Sequence, residues 1–247
     1  MIFVMKTRGK VISFFSPKGG TGKTTLTMLT ATALNFMVKN KDVCILDADY
    51  VQKNVMRERM ADEDAYKNNE TFRAICESNK IRHYRIEISA PEDLFDSVEI
   101  LRDQCDYLFV DYPGTLLEQN ILKSTMLLDY IFVPLAIDKL EKSSVMAFFT
   151  ETMPKLCKVN KSLKIRVVFN MYKDSYALQR DNPYELLAKE LDDMGIEYFK
   201  NRIYNRVELQ RERSTLIPTS YKTTADGKPV PDSFYNFFAE FMNYINQ

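Results

Sequence analysis

Apolar residues along this chain fall into short unbroken runs that alternate with stretches of helical spacing. Residues 11–15, 43–46, 107–110, 130–135 and 165–169 are such runs, and 84–88 reads as a further strand. After Lys23, the positions Leu26, Leu29, Ala33, Phe36 and Met37 recur as they do on one face of a helix. Pro91-Glu92-Asp93 opens a helix that carries Leu94, Val98 and Leu101, with proline and acids where the helix dipole prefers them. Asn182-Pro183-Tyr184-Glu185 predicts another start, with asparagine as cap, proline at the first position and a glutamate reaching back. From Asp232 onward, Phe234, Phe237, Phe238, Phe241 and Ile245 share a helical face. Residues 53–82 are charge-rich and poorly periodic, and short helices around a mobile segment are expected there.

Continuous apolar strands alternating with amphipathic helices predict a doubly wound α/β fold, a mostly parallel sheet with helices on both faces. Three of the strands end in polar residues at the carboxyl edge, where open α/β sheets bind ligands. No internal repeat, low-complexity tract or linker breaks the pattern, so a single domain over residues 1–247 is expected.

Composition narrows the chemistry. Lys+Arg and Asp+Glu balance at 34 each, so any electrostatic partner must be read by a local patch. Cys44, Cys76, Cys105 and Cys157 are far apart and His83 is the single histidine, which argues against a zinc cluster. Met1 to Met5 is too short for a signal peptide and no apolar run approaches a membrane span, so a reduced, cytoplasmic protein is the expectation.

Between the first strand and first helix stands Ser16-Pro17-Lys18-Gly19-Gly20-Thr21-Gly22-Lys23-Thr24-Thr25. Glycines let a backbone wrap an anion with several N–H groups inward, and the following helix adds its positive end. Lys23 would then reach β- and γ-phosphates, and the Thr24 hydroxyl would ligate Mg²⁺. Two strand ends carry carboxylates: Asp47-Ala48-Asp49, and Asp111-Tyr112-Pro113-Gly114. Such aspartates either cap neighbouring helices or hold a cation through water, and a phosphate loop at the same edge favours the cation. Asn170 ends the 165–169 run; it is a turn residue or an amide able to pair with an adenine edge. The guanine-reading N-K-x-D is absent, since Asp174 follows Asn170 without that lysine.

The loop departs from the generic pattern at Pro17, where glycine is usual, and adds a second lysine, Lys18. In this form it resembles the deviant Walker A box, K-G-G-x-G-K-[ST], of the ParA/MinD family of ATPases. The resemblance extends to the two aspartate segments, although Tyr50-Val51-Gln52 stands where the family has Pro-Gln. It also extends to Asn170-Met171-Tyr172 and to Ile203–Leu209, which looks like the family's I-P-R-N-V-x-L segment that closes over the base.

What the resemblance implies is a P-loop ATPase, Mg²⁺-dependent and slow without a partner. ATP would be bound by residues 18–25, namely Lys18, Gly19, Gly20, Thr21, Gly22, Lys23, Thr24 and Thr25, and by Asn170. Asp49 would position the attacking water and could also meet the metal through water; Asp111 would hold Mg²⁺ through water. Lys18 would cross to the phosphates of a second copy, making ATP a dimerising ligand. The implied role is partition of a plasmid, chromosome or mobile element, or positioning of other cargo, with a ParB-like protein stimulating turnover. Lys200, Arg202, Arg206, Arg211, Arg213 and Lys222, set against Glu208 and Glu212, are the candidate surface for non-specific DNA. A MinD-like membrane role would need a basic amphipathic tail, whereas the tail's charges are Asp232 and Glu240. An ATP-switched regulatory protein with little turnover is the reading that the altered Tyr50-Val51-Gln52 segment favours.

Overall fold

The structure, a computed structural model, describes residues 8–17, 19–114, 119–136, 143, 145–173, 175, 182–206, 209, 213–219 and 233–247. The strands are β1 (Lys10–Phe14), β2 (Val43–Asp47), β3 (Arg85–Ile88), β4 (Tyr107–Asp111), β5 (Tyr130–Leu135) and β6 (Lys164–Phe169). They form one parallel sheet in the order β3-β2-β4-β1-β5-β6. The first strand therefore lies inside the sheet: β2 and β3 run out to one edge, β4 returns between β1 and β2, and β5 and β6 run out to the other edge. Among the described residues the α-helices named here are α1 (Lys23–Met37), α2 (Asn54–Asn68), α3 (Glu70–Ser78), α4 (Leu94–Arg102), α5 (Gln119–Ser124), α6 (Met153–Val159), α7 (Pro183–Asp193) and α8 (Ser233–Ile245), with 3-10 turns at Pro91–Asp93 and Thr125–Leu127 and a π-helical turn at Phe148–Thr152.

Side chains alternate across each strand. Val11, Cys44, Leu108, Ile131 and Val167 enter a core with α4 and α7 on one face. Ile12, Ile45, Phe109, Phe132 and Val168 enter a second core with α1 and α8 on the other. Strands buried on both faces have no solvent side to mark with polar residues, hence the unbroken runs in the sequence. The doubly wound, parallel α/β architecture is as expected.

The α8 phenylalanines pack as their spacing predicts. Phe241 stacks on Phe14 of β1 at 6.3 Å and meets Phe132 of β5 edge-on at 5.1 Å, while Phe237 meets Phe199 at 5.2 Å. At the start of α7, Asn182 Oδ1 accepts the Tyr184 N–H at 3.0 Å. Glu185 turns not to the cap but to the Arg202 guanidinium, so the predicted capping box is half made.

Residues 53–82 hold helices as expected, α2 and α3, but only Asn69 stands between them where a mobile segment was expected. The inner face of α2 is Val55, Arg59 and Asp62, and two of these are charged. Asp62 Oδ2 accepts the Thr215 N–H (2.6 Å) and hydroxyl (2.7 Å), and Arg59 donates to Thr215 Oγ1 (2.8 Å) and the Tyr84 carbonyl (3.0 Å). A helix seated by buried, fully bonded charges carries no apolar period to read.

Candidate functional site

The phosphate loop leaves β1 beside Phe15, whose N–H still bonds the Phe132 carbonyl at 2.9 Å, and enters α1 at Lys23. Gly20 (φ 80°) and Gly22 (φ 91°) adopt left-handed backbone that side chains resist. Gly22 has a second constraint, since a Cβ there would lie 2.6 Å from Asn170 Nδ2. No side chain caps α1 at Gly22 and no acid stands in its first turn. The helix's own sequence thus sets no carboxylate at its positive end, as an anion site needs. Lys23 and Thr21 are buried, and Thr21 Oγ1 has no hydrogen-bond partner. Lys18 lies outside the described residues.

Both aspartate segments arrive beside this loop. β2 and β4 are adjacent, with Asp47 in register with Asp111, and the Ala48 N–H bonds the Asp111 carbonyl at 3.0 Å. Asp111 is fully buried and neither carboxylate oxygen has a hydrogen-bond partner. Burial pushes its pKa up to about 7; the nearby Thr24 hydroxyl and Lys23 ammonium oppose that, while Asp47 and Asp49 add to it. Gly114 brings the same segment against the loop, since a Cβ there would stand 3.8 Å from Gly19 Cα and 3.9 Å from Lys23 Nζ.

A buried carboxylate with both oxygens unpartnered is costly to ionise unless a cation shares the site. Thr24 and Lys23 beside it complete a set of hard oxygen and charge that fits hydrated Mg²⁺, which commonly takes one or two carboxylates and the substrate phosphates. Among the described residues no group of three or more His, Cys, Asp and Glu is placed to cage a metal.

Asp47 has a role that its spacing left open. Its Oδ2 accepts the Val55 N–H (3.1 Å) and Met56 N–H (3.4 Å) at the start of α2, and its Oδ1 accepts the Asp49 N–H (3.2 Å). Burial raises its pKa to about 6 against the pull of those N–H groups. Asp47 therefore braces the loop, while Asp49, half-buried, accepts the Gln52 N–H at 3.1 Å. Beyond it Tyr50 is 49% and Val51 85% exposed, so the two residues that break the family pattern face solvent. An aspartate closing an otherwise apolar strand was the available signal for Asp47.

Asn170 reaches the loop from β6: its Nδ2 donates to the Thr21 carbonyl at 2.8 Å. One amide proton that could read a base is thereby committed to the phosphate loop. Beside it, a pocket is lined by Gly22, Thr25, Asn170, Met171, Tyr204 and Arg206. The segment predicted to close over a base is paired there, with Ile203 N–H on the Phe169 carbonyl (2.9 Å) and Asn205 N–H on the Tyr172 carbonyl (2.8 Å).

Two of the described cations of the basic stretch are paired with acids. Arg202 pairs with Glu185, and Arg213 pairs with Glu58 at 2.5 Å while its Nη1 lies 3.5 Å from Thr25 Oγ1. Lys200 is exposed over the Tyr198 ring and Arg206 lies over Tyr204. Arg211 and Lys222 lie outside the described residues. Among the described residues no helix is long and apolar enough to cross a membrane.

Residues 12–218 match the profile of the CobQ/CobB/MinD/ParA nucleotide binding domain. Among curated protein sequences none matches significantly. Solved structures share the fold at low identity. A putative plasmid partition protein of Borrelia burgdorferi bound to AMPPNP is 19% identical over 97% of this chain and 98% of its own, with a TM-score of 0.58. MinD in the Aquifex aeolicus MinC:MinD cell division complex is 18% identical over 95% and 96%, with a TM-score of 0.63. A Cyanothece McdA variant in complex with ATP is 14% identical over 98% of each chain, with a TM-score of 0.62.

Proposed function

Because this chain belongs to the CobQ/CobB/MinD/ParA nucleotide-binding family, a family of P-loop ATPases, we propose that it is a single-domain, Mg²⁺-dependent ATPase that dimerises on ATP and positions DNA or another cargo. The observation that carries the ATPase reading is Asp111, a buried carboxylate with no partner, set beside Lys23, Thr24 and a loop whose glycines admit an anion. In this reading Lys23 binds the β- and γ-phosphates, the Thr24 hydroxyl and a water on Asp111 hold the metal, and Asp49 orients the attacking water. A bound Mg²⁺ supplies charge neutralisation on the phosphates. Asp47 keeps Asp49 in place, and Lys18 reaches the phosphates of the second copy.

Cargo positioning is supported by the names of the neighbours: plasmid partition for the Borrelia protein, cell division for MinD. Of the cargoes, DNA is favoured over membrane, because the apolar face of α8 is buried against β1 and β5 and is not available to lipid. The DNA surface would be led by Lys200 and Arg206, with a ParB-like protein as the stimulating partner. Binding to non-specific duplex DNA with ATP, ADP and no nucleotide, across a salt series and with Lys18→Ala, tests this. Binding that needs ATP, weakens steeply with salt and fails in the variant supports partition. An ATP-driven dimer in light scattering that ignores DNA at every salt moves the cargo to a protein and removes the DNA reading. The exposed Tyr50-Val51 pair favours a second reading, an ATP-switched regulator of a protein partner; turnover that stays negligible with DNA present would select it.

A further inference from the structure

Residues 213–217 act as a splint between the two helices that flank the phosphate site. Thr32, in the middle of α1, donates to the Ser214 carbonyl (3.1 Å), and Thr215 joins Arg59 and Asp62 of α2. These bonds are buried, and Thr32, Arg59, Asp62 and Thr215 are each 7% exposed or less. One member of the splint lies nearer the nucleotide. Arg213 holds Glu58 on α2 while its other nitrogen lies 3.5 Å from Thr25 Oγ1, in the first turn of α1. Its side chain is 34% and that of Glu58 27% exposed, so this link can exchange partners where the buried ones cannot.

Helix α2 begins directly after the loop that carries Asp49, and Asp47 ties the two together. A small shift of α2 is therefore a shift of Asp49. We propose that Arg213 is a positioning residue for ATP hydrolysis: through Glu58 it couples Thr25, in the first turn of the phosphate-loop helix, to the helix that sets Asp49. The inference rests on the ATPase reading above. In this arrangement Arg213 senses the phosphate end of the nucleotide and holds α2 in the hydrolytic register. Neither Arg213 nor Glu58 touches the reacting atoms. An arginine counted from the sequence as part of a DNA surface serves instead inside the nucleotide machinery.

The chain contains no tryptophan, which permits a reporter. Tyr50→Trp places one emitter on the exposed loop between Asp49 and α2. In that background, hydrolysis kinetics, nucleotide-dependent emission and thermal melts are compared for the parent, Arg213→Ala, Arg213→Lys, Glu58→Gln and the Arg213→Ala/Glu58→Gln double variant. The expected result is a kcat lowered about tenfold in each single variant, since small displacements near the chemistry are costly. KM for ATP stays within about threefold, the double variant is no worse than the singles, and Arg213→Lys recovers part of the loss. The ATP-induced emission change shrinks in step with kcat. Unchanged kcat and emission in folded Arg213→Ala and Glu58→Gln would overturn the proposal. So would losses that multiply in the double variant, or a rise in KM at constant kcat. If the parent binds ATP without turnover, the ATPase reading fails by itself and the emission response alone decides the coupling; a parent that binds no ATP overturns both.

Discussion

Replacing Asp111 by asparagine isolates what a buried carboxylate at this position costs the metal-free protein. Burial, helped by Asp47 and Asp49, raises its pKa from 3.8 to about 7 against the pull of the Thr24 hydroxyl and the Lys23 ammonium. Between those two values the folded chain holds a proton that the unfolded chain has released, so stability falls as pH rises through the window. About three pKa units at 1.36 kcal/mol each give an upper bound of ~4 kcal/mol of destabilisation near pH 7. Asparagine removes the charge but leaves a buried amide, which costs ~1–3 kcal/mol, so a net gain of ~1–3 kcal/mol is expected. For a chain of this size that is roughly 3–10 °C in Tm. Metal-free thermal melts of both proteins from pH 5 to pH 9 measure it. The variant should melt higher at neutral pH, with the difference narrowing as pH falls toward 5; Asp47, raised to about 6, leaves a residual slope in both. Mg-ATP should reverse the order, stabilising the parent by mass action and the variant little. A variant that melts at or below the parent across the whole range would refute the account of Asp111 as an uncompensated buried charge.

Other substitutions test neighbouring parts. Gly22→Ala combines a strained φ with a 2.6 Å approach to Asn170 Nδ2, and fluorescent-ATP titration should show affinity reduced by roughly tenfold or more. Asp62→Ala leaves the buried Thr215 N–H and hydroxyl without their acceptor and should destabilise by about 1–3 kcal/mol in urea melts, whereas Arg59→Met/Asp62→Leu should lose less than the sum of the singles. Lys18→Ala is expected to retain nucleotide binding and to stay monomeric with ATP in light scattering. Liposome flotation should find no ATP-dependent binding through residues 233–247, whose apolar face is already covered.

The strands and the phosphate loop were legible in the sequence because each has one physical cause that leaves a local trace. Burial on both faces makes apolar runs, and wrapping an anion requires glycines followed by lysine and threonine. Asp111 could be found because it closes such a run. Helices were expected over residues 53–82, but the inward face of α2 was not legible, since Arg59 and Asp62 take core positions usually held by apolar residues. The partners that make this tolerable, Thr215 and Tyr84, are distant in sequence. Arg213 read as surface for the same reason: a cation near other cations looks like a patch until Glu58 is seen opposite it. Asn170 was placed at the right edge, but its bond to Thr21 spans 149 positions and leaves no local mark.

The position of β1 also has a consequence for how the protein is made. This strand emerges first and carries the phosphate loop, yet its sheet neighbours β4 and β5 follow about a hundred residues later, and the Phe241 that covers Phe14 later still. At a synthesis rate of ~5–20 residues per second, roughly 10–45 s separate the loop's exit from the ribosome and that of α8. Until β4 and β5 emerge the nucleotide cannot assist folding, because β1 has no strand pair to hold the loop's shape, and until α8 emerges the Phe14 face of β1 stays uncovered. Nascent chains arrested before residue 233 should therefore fail to retain ATP and should present the apolar face of β1 to chaperones, whereas completed chains should gain nucleotide binding and chaperone release in a single step.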